Sequence, residues 1–254
     1  MGVSTLGFLA LAVGAVLVGF SKTAIAGANT VTIVIFAMVL PTRESTGVLL
    51  VLLMVGDAIA VWTYRRHADW ALSRRLLVPV ALGLVVGAAF LGWAPVVLLK
   101  PVIGGIVVVM TLLQAWRMWQ ASRASSRPRR PGVTPAGHAL TGRAFGSLAG
   151  FTTMVANAGG PVMTLYLLRS NLEVTRFVGT LAWFFACVNV AKLPFSIGLG
   201  LVRPQRLLLC LALVPAVVLG AVLGRWLIKG ISRDAFEKTV LVVAGVSGAY
   251  LMVS

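Results

Sequence analysis

Ten apolar stretches dominate this chain, at roughly 3–20, 24–40, 45–64, 76–93, 96–118, 138–155, 158–169, 174–200, 205–228 and 235–253. A helix needs about 20 predominantly apolar residues to cross the hydrocarbon core of a bilayer. Composition agrees with membrane helices, since 59% of the residues are hydrophobic and 11% charged. An ordinary soluble domain carries about a quarter charged residues. The formal net charge of +16 would suggest nucleic acid in a soluble protein. Here the basic residues lie between apolar stretches, where loop charge reports membrane orientation, so no nucleic-acid partner is expected. Cys187 and Cys210 each sit inside an apolar stretch and offer neither a disulfide framework nor a CxxC motif. The opening Met-Gly-Val-Ser-Thr-Leu lacks a basic region and runs into apolar sequence, so a removable signal peptide is not expected.

Between the fifth and sixth stretches, Gln120 to Gly132 is rich in Arg, Ser and Pro and reads as a linker. The expected organisation is a first transmembrane repeat at 1–119, a linker at 120–137 and a second repeat at 138–254. The halves echo each other in order. Gly19-Phe20 followed by Asn29 matches Gly150-Phe151 followed by Asn157. Gly47 matches Gly179, Asp57 matches Asn189, Arg74 matches Arg206, and Gly83/Gly87 match Gly220/Gly224.

Orientation follows from the basic residues. Loops 65–75, 117–143, 169–176 and 225–238 hold sixteen Lys and Arg, against Arg43, Arg203 and Arg206 on the opposite side. The positive-inside rule places the basic loops and the linker in the cytoplasm, in a multi-pass protein of a bacterial-type inner membrane with both termini outside. An odd number of segments per half makes the repeats inverted, a common transporter plan. The fold expected is therefore an all-α integral membrane protein of two inverted repeats of about five helical segments each.

Each repeat opens with a pair of segments too short for two crossings. As helix, residues 3–40 span ~57 Å and 138–170 ~50 Å, against ~60 Å plus a turn. A broken or hairpin helix pair is expected in each half, with its least apolar sequence at the tip. The first tip is Gly19 to Thr30, the second Gly150 to Pro161. Irregular backbone at membrane depth persists only inside protein or along a cavity. Unwound helix starts there offer N–H groups and a positive dipole end to an anion. Gly19, Gly27, Gly150, Gly159 and Gly160 would allow close backbone approach, and Ser21, Thr23, Asn29, Thr152, Thr153 and Asn157 would add neutral donors. Against this stands the frequency of Gly and Ser in ordinary membrane-helix packing.

Lys22, Asn189 and Lys192 complete the expected substrate site. Ionisable residues inside membrane segments are costly and usually face a cavity or a partner. Either lysine could neutralise a bound anion; an ion pair with Asp57, or snorkelling of Lys22, is the alternative. Asp57 has three readings: lysine partner, carrier of a coupling proton, or structural hydrogen-bond acceptor. Trp62, Trp70, Trp93, Trp116, Trp119 and Trp226 lie near segment ends as an aromatic belt, and Lys100 can snorkel. His67 and His138 are isolated, and no P-loop, HExxH or GxSxG sequence occurs, so neither a metal, a cofactor nor a catalytic residue is expected.

At these residues the chain resembles the TauE/SafE family of sulfite exporters. The resemblance rests on Gly19-Phe-Ser-Lys22, Pro41-x-Arg43, Asp57 followed by Tyr64-Arg-Arg-His-x-Asp-Trp70, Pro79-x-x-x-Gly83-x-x-x-Gly87, Asn157-Ala-Gly-Gly-Pro161 and Asn189-x-x-Lys192. It implies a secondary transporter, usually an exporter, of sulfite, thiosulfate, a sulfonate such as sulfoacetate, or a related organic anion. The partners expected are that small anion and the lipid bilayer, with a homodimer left open. The competing functions are an anion channel and a membrane enzyme or assembly factor. The latter is disfavoured by six acidic residues and two loop histidines.

Overall fold

The computed structural model describes residues 3–23, 29–123, 135–168, 172 and 174–227. Among these residues all regular structure is helical: α1 Thr5–Thr23, α2 Asn29–Val39, α3 Thr42–Tyr64, α4 Trp70–Trp93, α5 Val96–Arg123, α6 Pro135–Ala156, α7 Gly159–Leu168, α8 Val174–Gly198 and α9 Pro204–Leu227. The expected tenth stretch, Gly27 of the first tip and residues 124–134 of the linker lie outside the described residues. Helix α5 runs beyond the expected repeat edge at 119, its described part reaching Arg123.

Local chemistry explains some boundaries. Pro204 starts α9, where a missing N–H costs nothing. Asp69 caps α4, its Oδ1 accepting the Leu72 N–H at 3.0 Å.

Six described helices are long and apolar enough to cross a membrane: α1, α3, α4, the Val96–Leu113 part of α5, α8 and α9. Helix α6 has 22 residues, but its Gly, Thr and Arg143 dilute its apolar character and it is not among the six. Large apolar side chains on the outer faces, such as Leu6, Val78, Leu82, Val97, Leu208 and Leu211, are exposed. That is the surface lipid requires, and the exposed Trp62, Trp93 and Trp226 lie at helix ends.

The expected short pairs are present as a long helix followed by a half-length one. The described parts of α2 and α7 have 11 and 10 residues, about 16 and 15 Å at 1.5 Å per residue, or half of a ~30 Å core. Each packs against the helix before it, α2 on α1 and α7 on α6.

Two extensive crossings join the halves of the chain: α1 lies along α9, and α6 lies along α4. Both are made by glycine. A methyl group at Gly19 would collide with the Val217 carbonyl and one at Gly220 with the Val16 carbonyl. At the other crossing the same is true of Gly150 with Val80 and Gly83 with Ser147. Backbones approach this closely only where side chains are absent. Gly19 and Gly150 therefore serve helix contact. Helix α3 packs on α8 between the two crossings and carries the charged centre.

Candidate functional site

Asn157 is where α6 ends and the chain turns into α7. Its φ of 55° is left-handed, which Asn tolerates better than most side chains. Three groups converge on it. Its Nδ2 donates to the Thr46 carbonyl of α3 at 3.1 Å, its own carbonyl accepts from Asn29 Nδ2 at 2.9 Å, and its Oδ1 accepts from the Lys192 ammonium. Asn29 is the first described residue of α2, and Gly159 the first of α7. The start of α7 and the first described residue of α2 thus meet at Asn157.

Lys192 projects from α8 and is wholly buried, at 0% exposure. Besides Asn157, its ammonium donates to the Thr153 carbonyl at 2.5 Å. Both partners are neutral. Among the described residues no carboxylate lies within ion-pair distance of Lys192.

Lys22 differs. At the end of α1 its ammonium pairs with Asp57 Oδ1 at 2.5 Å and lies 4.9 Å from the centre of the Phe185 ring. The second carboxylate oxygen of Asp57 accepts from Asn189 Nδ2 at 2.6 Å. Asn189 and Lys192, three positions apart, share one face of α8. A polar line therefore runs from Lys22 through Asp57 to Asn189, and from Lys192 to Thr153, Asn157 and Asn29. It joins the described parts of the two tips through α3 and α8.

The remaining expected donors are spent locally. Ser21 donates to the Val18 carbonyl at 2.9 Å, Thr152 to Leu148 at 2.8 Å, and Thr23 to Gly19 and across to Ala221 at 3.0 Å. Buried hydroxyls in helices commonly satisfy themselves on the preceding turn. Thr153 enters the centre through its carbonyl. Gly159 is buried, with Thr153 and the Ala149 carbonyl where its side chain would be, and Gly160 is half-buried.

Two contributors were missed from the sequence. The Thr46 carbonyl holds Asn157, and nothing in residue type marks a carbonyl in advance. Ser196 lies four residues beyond Lys192 and is wholly buried, a position its spacing could have flagged. A cleft beside Thr46 and Asn157, too narrow to admit a water molecule, is lined mostly by apolar side chains such as Ile33, Leu49 and Ile103.

Six helices of membrane-crossing length and apolarity around a buried ion pair and a buried lysine define a multi-pass membrane protein. Residues 11–251 match the family model described as sulfite exporter TauE/SafE, so the chain belongs to that family of membrane transporters and is not an enzyme. No curated protein and no solved structure matches the chain.

Proposed function

We propose that this chain is a secondary transporter that exports a small sulfur-containing anion, such as sulfite, thiosulfate or a sulfonate like sulfoacetate, by alternating access around the Lys192 centre. The observation that carries the proposal is the wholly buried Lys192 ammonium, held by neutral oxygens alone. A buried cation without a counter-charge is costly, and an anion would supply that charge. The start of α7 adds to the attraction, since this helix turns its N-terminal end toward Asn157.

On this reading the substrate-contacting residues are Lys192, Asn157, Asn29, Asn189 and the first turn of α7 at Gly159 and Gly160. Lys22 acts through Asp57. The anion would displace the Thr153 and Asn157 oxygens from the Lys192 ammonium, which are contacts a solute must break to enter. Ser21, Thr23 and Thr152 hold the tips in shape through their backbone bonds.

We read the chain as two inverted repeats. Support comes from the paired crossings of α1 with α9 and α6 with α4, whose glycines occupy matching sequence positions. Rocking one repeat against the other would then open the centre to each side in turn. With the basic loops in the cytoplasm, an inside-negative potential drives an anion outward by ~2.3 kcal/mol per charge per 100 mV. No proton need accompany it, and Asp57 serves as the ion-pair partner of Lys22.

The test is uptake of labelled sulfite into inside-out proteoliposomes. Saturable, voltage-dependent accumulation is expected. Current that rises without saturation would make the protein a channel, and no flux of any sulfur anion would end the proposal.

A further inference from the structure

Three buried polar atoms of the centre have no hydrogen-bond partner among the described residues: Asn189 Oδ1, Ser196 Oγ and Asn29 Oδ1. Buried polar groups in folded proteins are nearly always paired, and an orphan calls for a missing ligand or water. Asn189, Lys192 and Ser196 are 1%, 0% and 0% exposed. Their spacing of three and four positions stacks them along one face of α8. The orientation of the Asn189 amide is set by chemistry. Its NH₂ must face the Asp57 carboxylate, which can only accept, so its oxygen is left as a free acceptor. Asn29 is oriented in the same way by the Asn157 carbonyl.

Free acceptors are an odd lining for an anion site. An anion's own oxygens would be repelled by Asn189 Oδ1, so a ligand there must present a hydrogen-bond donor. Charge adds a second constraint. Lys22 and Lys192 against Asp57 leave a formal excess of one positive charge, enough for a single negative charge in so buried a place. A dianion would leave one charge uncompensated, which burial penalises heavily.

We infer that the centre selects a singly charged sulfur oxyanion that carries a hydrogen-bond donor, and that Ser196 is a substrate-contacting residue beside Lys192. Hydrogensulfite and hydroxyalkanesulfonates belong to this class; sulfoacetate, thiosulfate and sulfate do not. The inference rests on the transporter reading above and narrows its substrates. The Ser196 hydroxyl donates to an oxygen of the anion held by Lys192, while the anion's own donor meets Asn189 Oδ1.

The experiment uses proteoliposomes carrying the full chain and labelled 2-hydroxyethanesulfonate. Ethanesulfonate, which lacks the hydroxyl, and sulfoacetate, which carries a second charge, serve as competitors. Ethanesulfonate is expected to compete roughly three- to tenfold less well than unlabelled 2-hydroxyethanesulfonate, the value of one hydrogen bond. Sulfoacetate is expected to compete more weakly still. Equal competition by sulfoacetate overturns the charge argument, and equal competition by ethanesulfonate overturns the donor argument. In either case saturable flux that disappears in Lys192→Met leaves the transporter reading intact. If no sulfur anion shows flux that depends on Lys192, both fail together.

Ser196→Ala provides a readout apart from transport. A hydroxyl without a partner destabilises the empty protein, so this variant is expected to melt in detergent at or above the wild-type temperature. Its stabilisation by added 2-hydroxyethanesulfonate should nevertheless be smaller, with half-saturation for flux raised roughly three- to tenfold. Unchanged binding removes Ser196 from the site. A lower melting temperature without anion would show that the hydroxyl is already partnered, and would also overturn its assignment.

Discussion

Asn189 donates its amide to Asp57 at 2.6 Å across the contact between α3 and α8, although 132 residues separate the two in sequence. The same separation relates Gly47 to Gly179. Residues at matching places in the two halves thus touch each other, as expected where a pseudo-two-fold axis passes between them. The Asn29 contact with Asn157 has the same character. Both contacts lie on the polar line that connects Lys22 to Lys192, so the proposed site and the proposed symmetry occupy one place.

The role of Lys192 can be separated from that of Lys22. Lys192→Met removes the cation of the centre that, among the described residues, lacks a carboxylate partner. Hydrogen bonds to a charged group contribute about 1.5–3 kcal/mol, so half-saturation or flux in proteoliposomes should worsen by roughly ten- to a hundredfold. The variant should remain folded, because loss of a buried charge without a counter-ion relieves a desolvation cost. Normal transport by Lys192→Met would remove the anion role.

Lys22→Met has a different signature. It strands the Asp57 carboxylate, which is 2% exposed, and breaking a buried pair from one side costs about 3–5 kcal/mol. The double variant Lys22→Met with Asp57→Asn removes both charges and should recover much of that stability. Thermal melting in detergent reads the cycle. Equal melting temperatures for the single and double variants would mean that the pair is not coupled.

The described helices, the short opening pairs and the polar tips were legible in the sequence, because each depends on local composition and length. So were Lys22, Asp57 and Lys192, since charge inside an apolar run is conspicuous wherever it falls. Which lysine would find the carboxylate was not legible, because that depends on how α1, α3 and α8 are laid against one another. The hydroxyls of Ser21, Thr23 and Thr152 were read as free donors, yet each lies within reach of a carbonyl one turn back. Gly19 and Gly150 carry the spacing that fits both a ligand approach and a helix crossing, and packing chose the crossing.

That choice has a measurable consequence. A side chain at Gly150 would meet the backbone of α4 at Val80, which cannot move aside as a flexible side chain would. Gly150→Ala should therefore destabilise by at least the ~1–3 kcal/mol typical of overpacking. Gly105, in α5, has nothing among the described residues within 4 Å of an added methyl group. Gly105→Ala should gain about 0.5–1 kcal/mol from lost backbone freedom in the unfolded chain. Melting temperatures that shift in opposite directions would bear out the crossing, and a neutral Gly150→Ala would refute it.

Asn157 joins backbone conformation and site chemistry in one residue, and two substitutions separate them. Asn157→Gly adopts the left-handed φ of 55° freely but loses the contacts to Lys192 and Thr46. Asn157→Ala loses the same contacts and also bears a left-handed backbone, which costs about 1–2 kcal/mol for a residue with a Cβ. The glycine variant should consequently be the more stable by about that amount, while both show weakened anion flux, because Lys192 loses the side chain that orients it. If the two melt together, the turn is not left-handed in the membrane. If the glycine variant transports as well as wild type, the Asn157 side chain does no more than shape the turn, and orientation of Lys192 falls to Thr153.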